Sequence, residues 1–318
     1  MAYRHPRPAR RRAWGHLETG VTSTSRIAVI VNPASRSGKS DAVRRVVVEL
    51  AEKHRVPVFS TEHRGHATEI AARLSAEGFE RVVAVGGDGT LNEVANGLAG
   101  TQTALAAVPA GTGNDWVRTV GVPRDPTQAW KLALTGQIEV TDLAEVEGHG
   151  FCMNVLGAGF DAEVARRIAA ARGPLAGLGP TPRYVAAVFG TFFGYERSTV
   201  RVRLDDGPIE EVPETLLVAV GVAKYYGSGM MVLPDAEIAD GLLDVVWGSG
   251  ISVFELPGIM RRVFKGTHTS HPRVRTARCR SVTLESDSPT PFHIDGDVRG
   301  LLPITVRVRE NALRIVVP

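Results

Sequence analysis

Cysteine is nearly absent from this chain: Cys152 and Cys279 are the only two among 318 residues, and neither has a CxxC partner or a histidine at metal-ligand spacing. That excludes a disulfide framework and a cysteine-based metal centre, and leaves two reduced core thiols of a cytosolic protein. Long apolar runs are missing too. Nothing approaches the ~18 consecutive apolar residues of a membrane-crossing helix, and the Arg-rich start lacks the apolar stretch of a secretory signal. The expectation is a chain neither exported by that route nor threaded through a bilayer, so any lipid it handles is met from the water side. Net charge is scarce as well, at +3. Five of the 37 Lys and Arg but only one of the 34 Asp and Glu fall within residues 1–25, so the remainder is nearly neutral. A dedicated nucleic-acid protein, which needs a basic face on the folded domain, is excluded on that ground.

What is present is ordinary globular composition, 43% hydrophobic and 22% charged, with 34 Gly and 19 Pro to supply turns. The length favours two domains over one core. Residues 1–25, rich in Arg, Pro, Ser and Thr without periodicity, are expected to be a disordered basic arm or the product of a start site upstream of the true one. From Ile27 strand and helix alternate. Ile27–Val31, Val56–Ser60, Val82–Val85 and Leu105–Val108 read as strands, separated by helical patterns over Lys39–His54, around Ala67–Leu74, and through Leu91, Val94, Ala95 and Leu98. Strict alternation implies a parallel sheet with helices on both faces and a ligand crevice at the carboxyl ends of the strands. After about residue 137 the pattern becomes strand-like runs between Gly-, Pro- and Asp-rich turns, a mainly antiparallel β domain interrupted by helices near Asp161–Ala171 and Tyr184–Phe193. The expected fold class is therefore α/β, an N-terminal parallel-sheet nucleotide-binding domain over 26–137 and a β-sandwich-like domain over 138–318. The last strand or strands are free to return to the first domain.

Two motifs carry chemistry. Gly86-Gly87-Asp88-Gly89-Thr90 leaves a buried strand and opens a helix. Three glycines in four residues allow backbone N–H groups to approach a phosphate, and the helix start favours negative charge. Asp88 is placed to orient a phosphate-bound metal ion and Thr90 to donate a hydroxyl. A tight turn capped by Asp88 or Thr90 is the bland alternative, but a cap needs no such repetition of phosphate-loop chemistry on the neighbouring strand. That repetition is Pro109-Ala110-Gly111-Thr112-Gly113-Asn114-Asp115, again a strand-to-helix turn. A third turn, Asn32-Pro33-Ala34-Ser35-Arg36-Ser37-Gly38-Lys39, follows the first strand. It is not a P-loop, because the first glycine of that motif falls on Pro33.

Asn32-Pro33, then Gly86 to Thr90 with Leu91-Asn92-Glu93, then Pro109-x-Gly-Thr-Gly-Asn-Asp115 stand in the order and spacing of the diacylglycerol kinase catalytic family, which the chain resembles from about Ile27 to its end. NAD kinases and phosphofructokinases share the first glycine turn and the N-terminal fold but lack the second motif. The resemblance implies an ATP-dependent lipid kinase, most readily of diacylglycerol, with phosphatidylglycerol, a sphingoid base or a polyprenol as alternative acceptors and a soluble-substrate kinase of the NAD kinase type as the rival. It implies a nucleotide site drawn from Asn32, Pro33, Ser35, Thr61, Gly86, Gly87, Asp88, Gly89, Thr90, Glu93, Gly111, Thr112, Asn114 and Asp115. The catalytic base is then an acid of Asp295-Gly296-Asp297, with Asp297 standing where the family has Glu. Arg36 stands where relatives have Gly. Mg²⁺ is implied with ATP at Asp88, and a structural Mg²⁺ at the turn around Asp240, held by that carboxylate and by backbone carbonyls such as those of Glu237 and Leu242. At that turn the residues alone admit a plain β-turn equally well. The implied partner is a lipid at the membrane surface and the implied location cytoplasmic with peripheral attachment. Oligomeric state stays open, a homodimer included. Arg166, Arg167, Arg172 and Arg183 with Tyr184, Phe189, Phe192, Phe193 and Tyr195 suit a lipid cleft, but an amphipathic helix packed on the β domain is the commoner explanation. If Phe292–Ile294 continues extended, Asp295 and Asp297 face opposite ways and only one serves as base.

Overall fold

The computed structural model describes residues 26–33, 38–170 and 180–318. The arm over 1–25, Ser35, Arg36 and Arg172 lie outside the described residues.

The first half is built as its periodicity requires. Strands β1 (Ile27–Val31), β2 (Val58–Ser60), β3 (Arg81–Gly86) and β4 (Ala104–Pro109) alternate with α1 (Gly38–Lys53), α2 (His66–Ala76) and α3 (Asp88–Leu98), and α4 (Asp115–Val120) and α5 (Pro126–Thr135) follow. The strands pair in parallel in the order β2, β1, β3, β4. β3 and β4 are buried at every position, so they read as continuous apolar runs. α2 buries Ala67, Ile70, Ala71 and Leu74, and α3 buries Leu91, Val94, Ala95 and Leu98, the i, i+3, i+4, i+7 stripe of a helix covering a sheet. α2 packs on α3 while α1 packs on α5. Neighbouring β1 and β3 thus feed helices on opposite faces, which opens a crevice at their carboxyl ends.

The second half begins with β5 (Gln137–Val146), β6 (Gly150–Cys152), β7 (Val155–Gly159), α6 (Phe160–Ala170) and α7 (Pro180–Phe192). It continues through β8 (Ser198–Leu204), β9 (Ile209–Gly221), the small hairpin β10 (Tyr225–Tyr226) and β11 (Met230–Met231), β12 (Leu243–Ser249) and α8 (Leu256–Lys265). It closes with β13 (Val274–Cys279), β14 (Ser281–Ser286), β15 (Pro291–Ile294), β16 (Asp297–Leu301) and β17 (Ile304–Val317). Apart from the parallel pairing of β17 with β4, its pairings are antiparallel, a sandwich-like β domain around Leu156, Val202, Val220, Trp247, Leu284 and Phe292.

Several elements escape the sequence pattern, among them β5, β7, β13, α5 and α8. The C-terminal segment is one 14-residue strand, β17. β17 is the seam of the molecule. Its first part pairs with β14, most of its length with β5 across an irregularity between Arg309 and Leu313, and Arg314 and Ile315 join β4 in parallel, so one 15-stranded sheet runs through both halves. Leu313 and Ile315 are buried in the core of the first half.

Ile315→Ala is expected to lower unfolding free energy by about 2–4 kcal/mol in a denaturant titration, the cost of a core truncation. A loss below ~1 kcal/mol would mean that the C-terminal strand is a loosely attached tail.

Candidate active site

The glycine turns after β3 and β4 touch one another. A β-carbon on Gly87 would stand 3.1 Å from the Gly111 Cα, and one on Gly111 would overlap the Gly87 backbone. Gly86 is constrained from below: its missing side chain is replaced by Thr90, whose Cβ and Oγ1 would lie 2.5 and 2.6 Å from an added β-carbon. These glycines first allow two loops to approach, and only then leave backbone accessible to a ligand. Beside Gly89 the space is open.

Side chains lock the pair. Asp88 opens α3, yet its Oδ1 accepts the N–H groups of Asp115 (2.8 Å) and Trp116 (3.1 Å), at the start of α4. It caps the neighbouring helix across the junction, where a carboxylate meets unpaired amides and the positive helix end. Asn114 adopts a left-handed backbone at φ 52°, and its side-chain amide bonds Gly111 in both directions at 2.7 and 3.1 Å. Asn32 donates to Thr90 Oγ1 at 3.0 Å, and Ser40 Oγ donates to the Ala110 carbonyl at 2.5 Å, so the first turn is tied to both others.

Three carboxylates meet here. Burial raises the Asp88 carboxyl to about 6, and the nearby charges of Asp115 and Asp295 push the same way. Asp115 is raised as well, chiefly by burial. Its Oδ2 accepts the Ser228 N–H at 2.8 Å from the β10–β11 hairpin, while its Oδ1 is buried without a hydrogen-bond partner, 3.9 Å from Arg118.

Asp295 arrives from the other half, in a way the extended reading of this segment does not anticipate. The chain does not continue straight. Asp295 (φ 50°) and Gly296 (φ 89°) are the central pair of the β15–β16 hairpin, with Ile294 opposite Asp297. Two successive positive φ values make a turn for which Asp-Gly is among the favoured sequences, because its twist matches the flanking strands. The turn aims the Asp295 carboxylate at five donors: Asn92 Nδ2 of α3 (2.8 Å), the N–H groups of Met153 (3.0 Å), Asn154 (2.9 Å) and Val155 (3.1 Å), and the Cys152 thiol (3.2 Å). Burial and Asp295 itself keep that thiol protonated. Beneath the turn, His293 Nδ1 accepts the Gly296 N–H at 3.2 Å and its Nε2 faces Asp161 at 3.3 Å. Asp297 instead stands half-exposed and paired with Arg64 and Arg299.

Glu93 Oε2 accepts the Ala67 N–H of α2 at 3.3 Å. Thr61 is buried, its N–H donating to Val31. Pro33 and Thr112 are exposed. At the second candidate metal turn Asp240 accepts the Leu242 N–H at 3.1 Å and pairs with Arg278, and Glu237 is exposed. Asp244 is driven up to about 7 by burial and then by Asp235 and Glu237, and its Oδ2 makes no hydrogen bond but lies 3.4 Å from Arg278 Nε. Asp142 bonds the N–H groups of Gly241 (2.7 Å) and Asn311 (2.8 Å). Sequence reasoning assigned no role to Asn92, Arg64, Asp142, His293 or the β10–β11 hairpin. The Asp-Gly pair flanked by apolar residues was the one local signal available.

The chain matches the family model for the diacylglycerol kinase catalytic domain over residues 26–146 and that for the YegS C-terminal NAD kinase beta sandwich-like domain over 154–317. It is 29% identical over 303 residues to a diacylglycerol kinase of Mycobacterium tuberculosis, covering 92% of this chain and 95% of the relative. To a diacylglycerol kinase of Staphylococcus epidermidis it is 28% identical over 310 residues, with 92% of each covered. Among solved structures, a diacylglycerol kinase from Bacillus anthracis is similar in fold, with a TM-score of 0.69 at 20% identity over 93% of this chain and 98% of that one.

Gly111→Ala is expected to cost about 1–3 kcal/mol by forcing the turns apart. Unchanged stability would show that the two loops do not need their contact. Asp88→Asn behaves oppositely. The folded chain holds the Asp88 proton more tightly than the unfolded chain, so ionising it costs stability as pH rises from about 4 to about 6. Asn keeps the acceptor for both N–H groups and carries no charge. The variant should match the wild type near the lower pH and exceed it by about 1–2 kcal/mol above the upper one, allowing for solvent screening. A gap independent of pH in paired denaturant titrations would overturn this account.

Proposed function

The chain belongs to the diacylglycerol kinase catalytic family, and on that premise we propose that it transfers the γ-phosphate of ATP to the hydroxyl of a membrane-borne lipid, diacylglycerol giving phosphatidic acid. The observation that carries the reading is the meeting of Asp88, Asp115 and Asp295, from three separate elements, beside two touching glycine turns at the crevice of a parallel sheet. Phosphoryl transfer demands little covalent chemistry from a protein. It demands in-line positioning, charge compensation and a carboxylate for the hydroxyl proton.

The residues divide that work. Backbone N–H groups over Gly87 to Gly89 and of Thr112 and Gly113 bind the phosphates, with Asn32 and Thr90 holding the first turn and Asn114 holding Gly111 in place. Mg²⁺ fits Asp88 and Asp115: Asp115 Oδ1 is buried without a hydrogen bond, and both carboxyls are raised, first by burial and then by neighbouring acids. There it would offset the charge of the transferring phosphoryl group. Asp295 is the base, favoured over Asp297 because it adjoins the other two acids and is oriented by five donors, whereas Asp297 is held at the surface by arginines. Asp297 steadies the hairpin through Arg64, a residue of the loop between β2 and α2. A structural Mg²⁺ fits the Asp240 turn, since Asp244 is buried beside the charges of Asp235 and Glu237, and Arg278, which faces both Asp244 and Asp240, is the cation it would replace. Binding there would require Asp240 to exchange Arg278 for the ion. No helix among the described residues is long and apolar enough to cross a membrane, in keeping with a cytoplasmic enzyme that meets lipid at the surface.

Mass spectrometry of lipid extracts incubated with enzyme and labelled ATP, with NAD as a parallel acceptor, tests the substrate class. Labelled NAD and unlabelled lipid would overturn it. In single-turnover kinetics Asp295→Asn should slow phosphorylation about 10²–10⁴-fold with ATP affinity largely retained, and Asp297→Asn should act only through hairpin position, with a smaller loss. Equal, near-wild-type rates for both would remove the proposed base.

A further inference from the structure

We propose that the outer face of α8 and the loop before it form a docking surface for an anionic lipid bilayer. The inference rests on the lipid-kinase reading only for its purpose; its evidence is separate. Phe254 is 92% exposed, Phe193 78% and Phe264 44%, and all three border the corner where α6, α7 and α8 pack together. α8 is already anchored. Leu256 and Ile259 are buried in that cluster, with Met260 and Val263 packed against it, so the inner stripe of the helix is satisfied. At helical spacing on the opposite side stand Pro257, Arg261, Phe264 and Lys265, all exposed, with Phe254 extending the same line one turn earlier. Single exposed apolar side chains need no explanation, but aromatic rings interleaved with cations on one outward stripe are what the headgroup boundary of a bilayer accommodates.

Charge selects the occupant. Residues 256–265 hold Arg261, Arg262 and Lys265 and no acid. The adjacent Glu255 is engaged by Arg273 and His271. Among the described residues Arg261 and Lys265 enter no ion pair, and Arg262 donates only to Ser270. Phenylalanines can enter the acyl boundary while these cations meet lipid phosphates, which commits the face to anionic phospholipid. The far end of α8 packs on β11, and Gly266 lies against Met231. That strand belongs to the hairpin whose Ser228 holds Asp115, so the docking face sits one element away from the acidic triplet.

The test is co-sedimentation of the full chain with vesicles of phosphatidylcholine alone and of phosphatidylcholine mixed with phosphatidylglycerol. The wild type should bind the anionic vesicles and bind the neutral ones far less. Phe254→Ser with Phe264→Ser should weaken binding about tenfold or more, and Arg261→Gln with Lys265→Gln about tenfold at low salt. Ile209→Ser, an exposed apolar residue on β9, should bind as the wild type does. Wild-type binding by both double variants would assign any vesicle affinity to the Arg-rich arm or another face and overturn the proposal, as would failure of the wild type to bind. Turnover on detergent-dispersed lipid should stay at the wild-type level in the folded phenylalanine variant; its loss would make this face part of the site and likewise overturn the docking role. Vesicle binding through this face without phosphorylation of any lipid would instead leave the docking surface standing and defeat the kinase reading.

Discussion

Gly87 and Gly111 face each other with no room for a β-carbon, and Asp88 spans the same junction to cap the first amides of α4. The geometry of the candidate site descends from that contact. It brings the ends of β3 and β4 together, fixes the left-handed backbone at Asn114, and buries a carboxylate beside Asp115. The apparent waste, an acid held near 6 and a neighbour whose buried oxygen makes no hydrogen bond, would be offset by the metal-bound polyanion proposed as its ligand. Sites of this kind trade local stability for readiness to bind.

The second half supplies what the first cannot. The first half provides Asp88 and Asp115, and the third acid reaches them from outside its sheet. The β15–β16 hairpin brings Asp295 there, and Asn92 of α3 receives it. β17 makes the arrangement rigid by belonging to both halves at once, so hairpin and turns are members of one sheet rather than of two bodies joined by a linker. The pairing of Arg64 with Asp297 adds a second tie near the same point.

Much of this was legible in the chain. The alternating strands and helices up to α3, the parallel character of the first sheet and the antiparallel character of the remainder all follow from apolar periodicity, which is a local property. The two glycine motifs marked the junction because dense glycine at strand-to-helix turns signals a close approach of backbone. Asp295 was within reach too: an Asp-Gly pair between apolar runs is a hairpin signal in its own right, and treating the segment as extended missed it.

The rest was decided by tertiary structure. Glu93, read from motif position as a nucleotide contact, bonds the start of α2, and Asp88 caps a helix that begins 27 residues later. Both choices depend on which amides lie nearby in space. β5 became a strand because β17 offers it a partner along its length, a pairing between residues more than 150 positions apart that leaves no trace in local pattern. The chain by itself therefore determined which residue types stand at the strand ends and what chemistry they can perform. Folding decided which of them meet, because hydrogen bonds, ion pairs and burial act over a few ångströms of space and are indifferent to distance along the sequence.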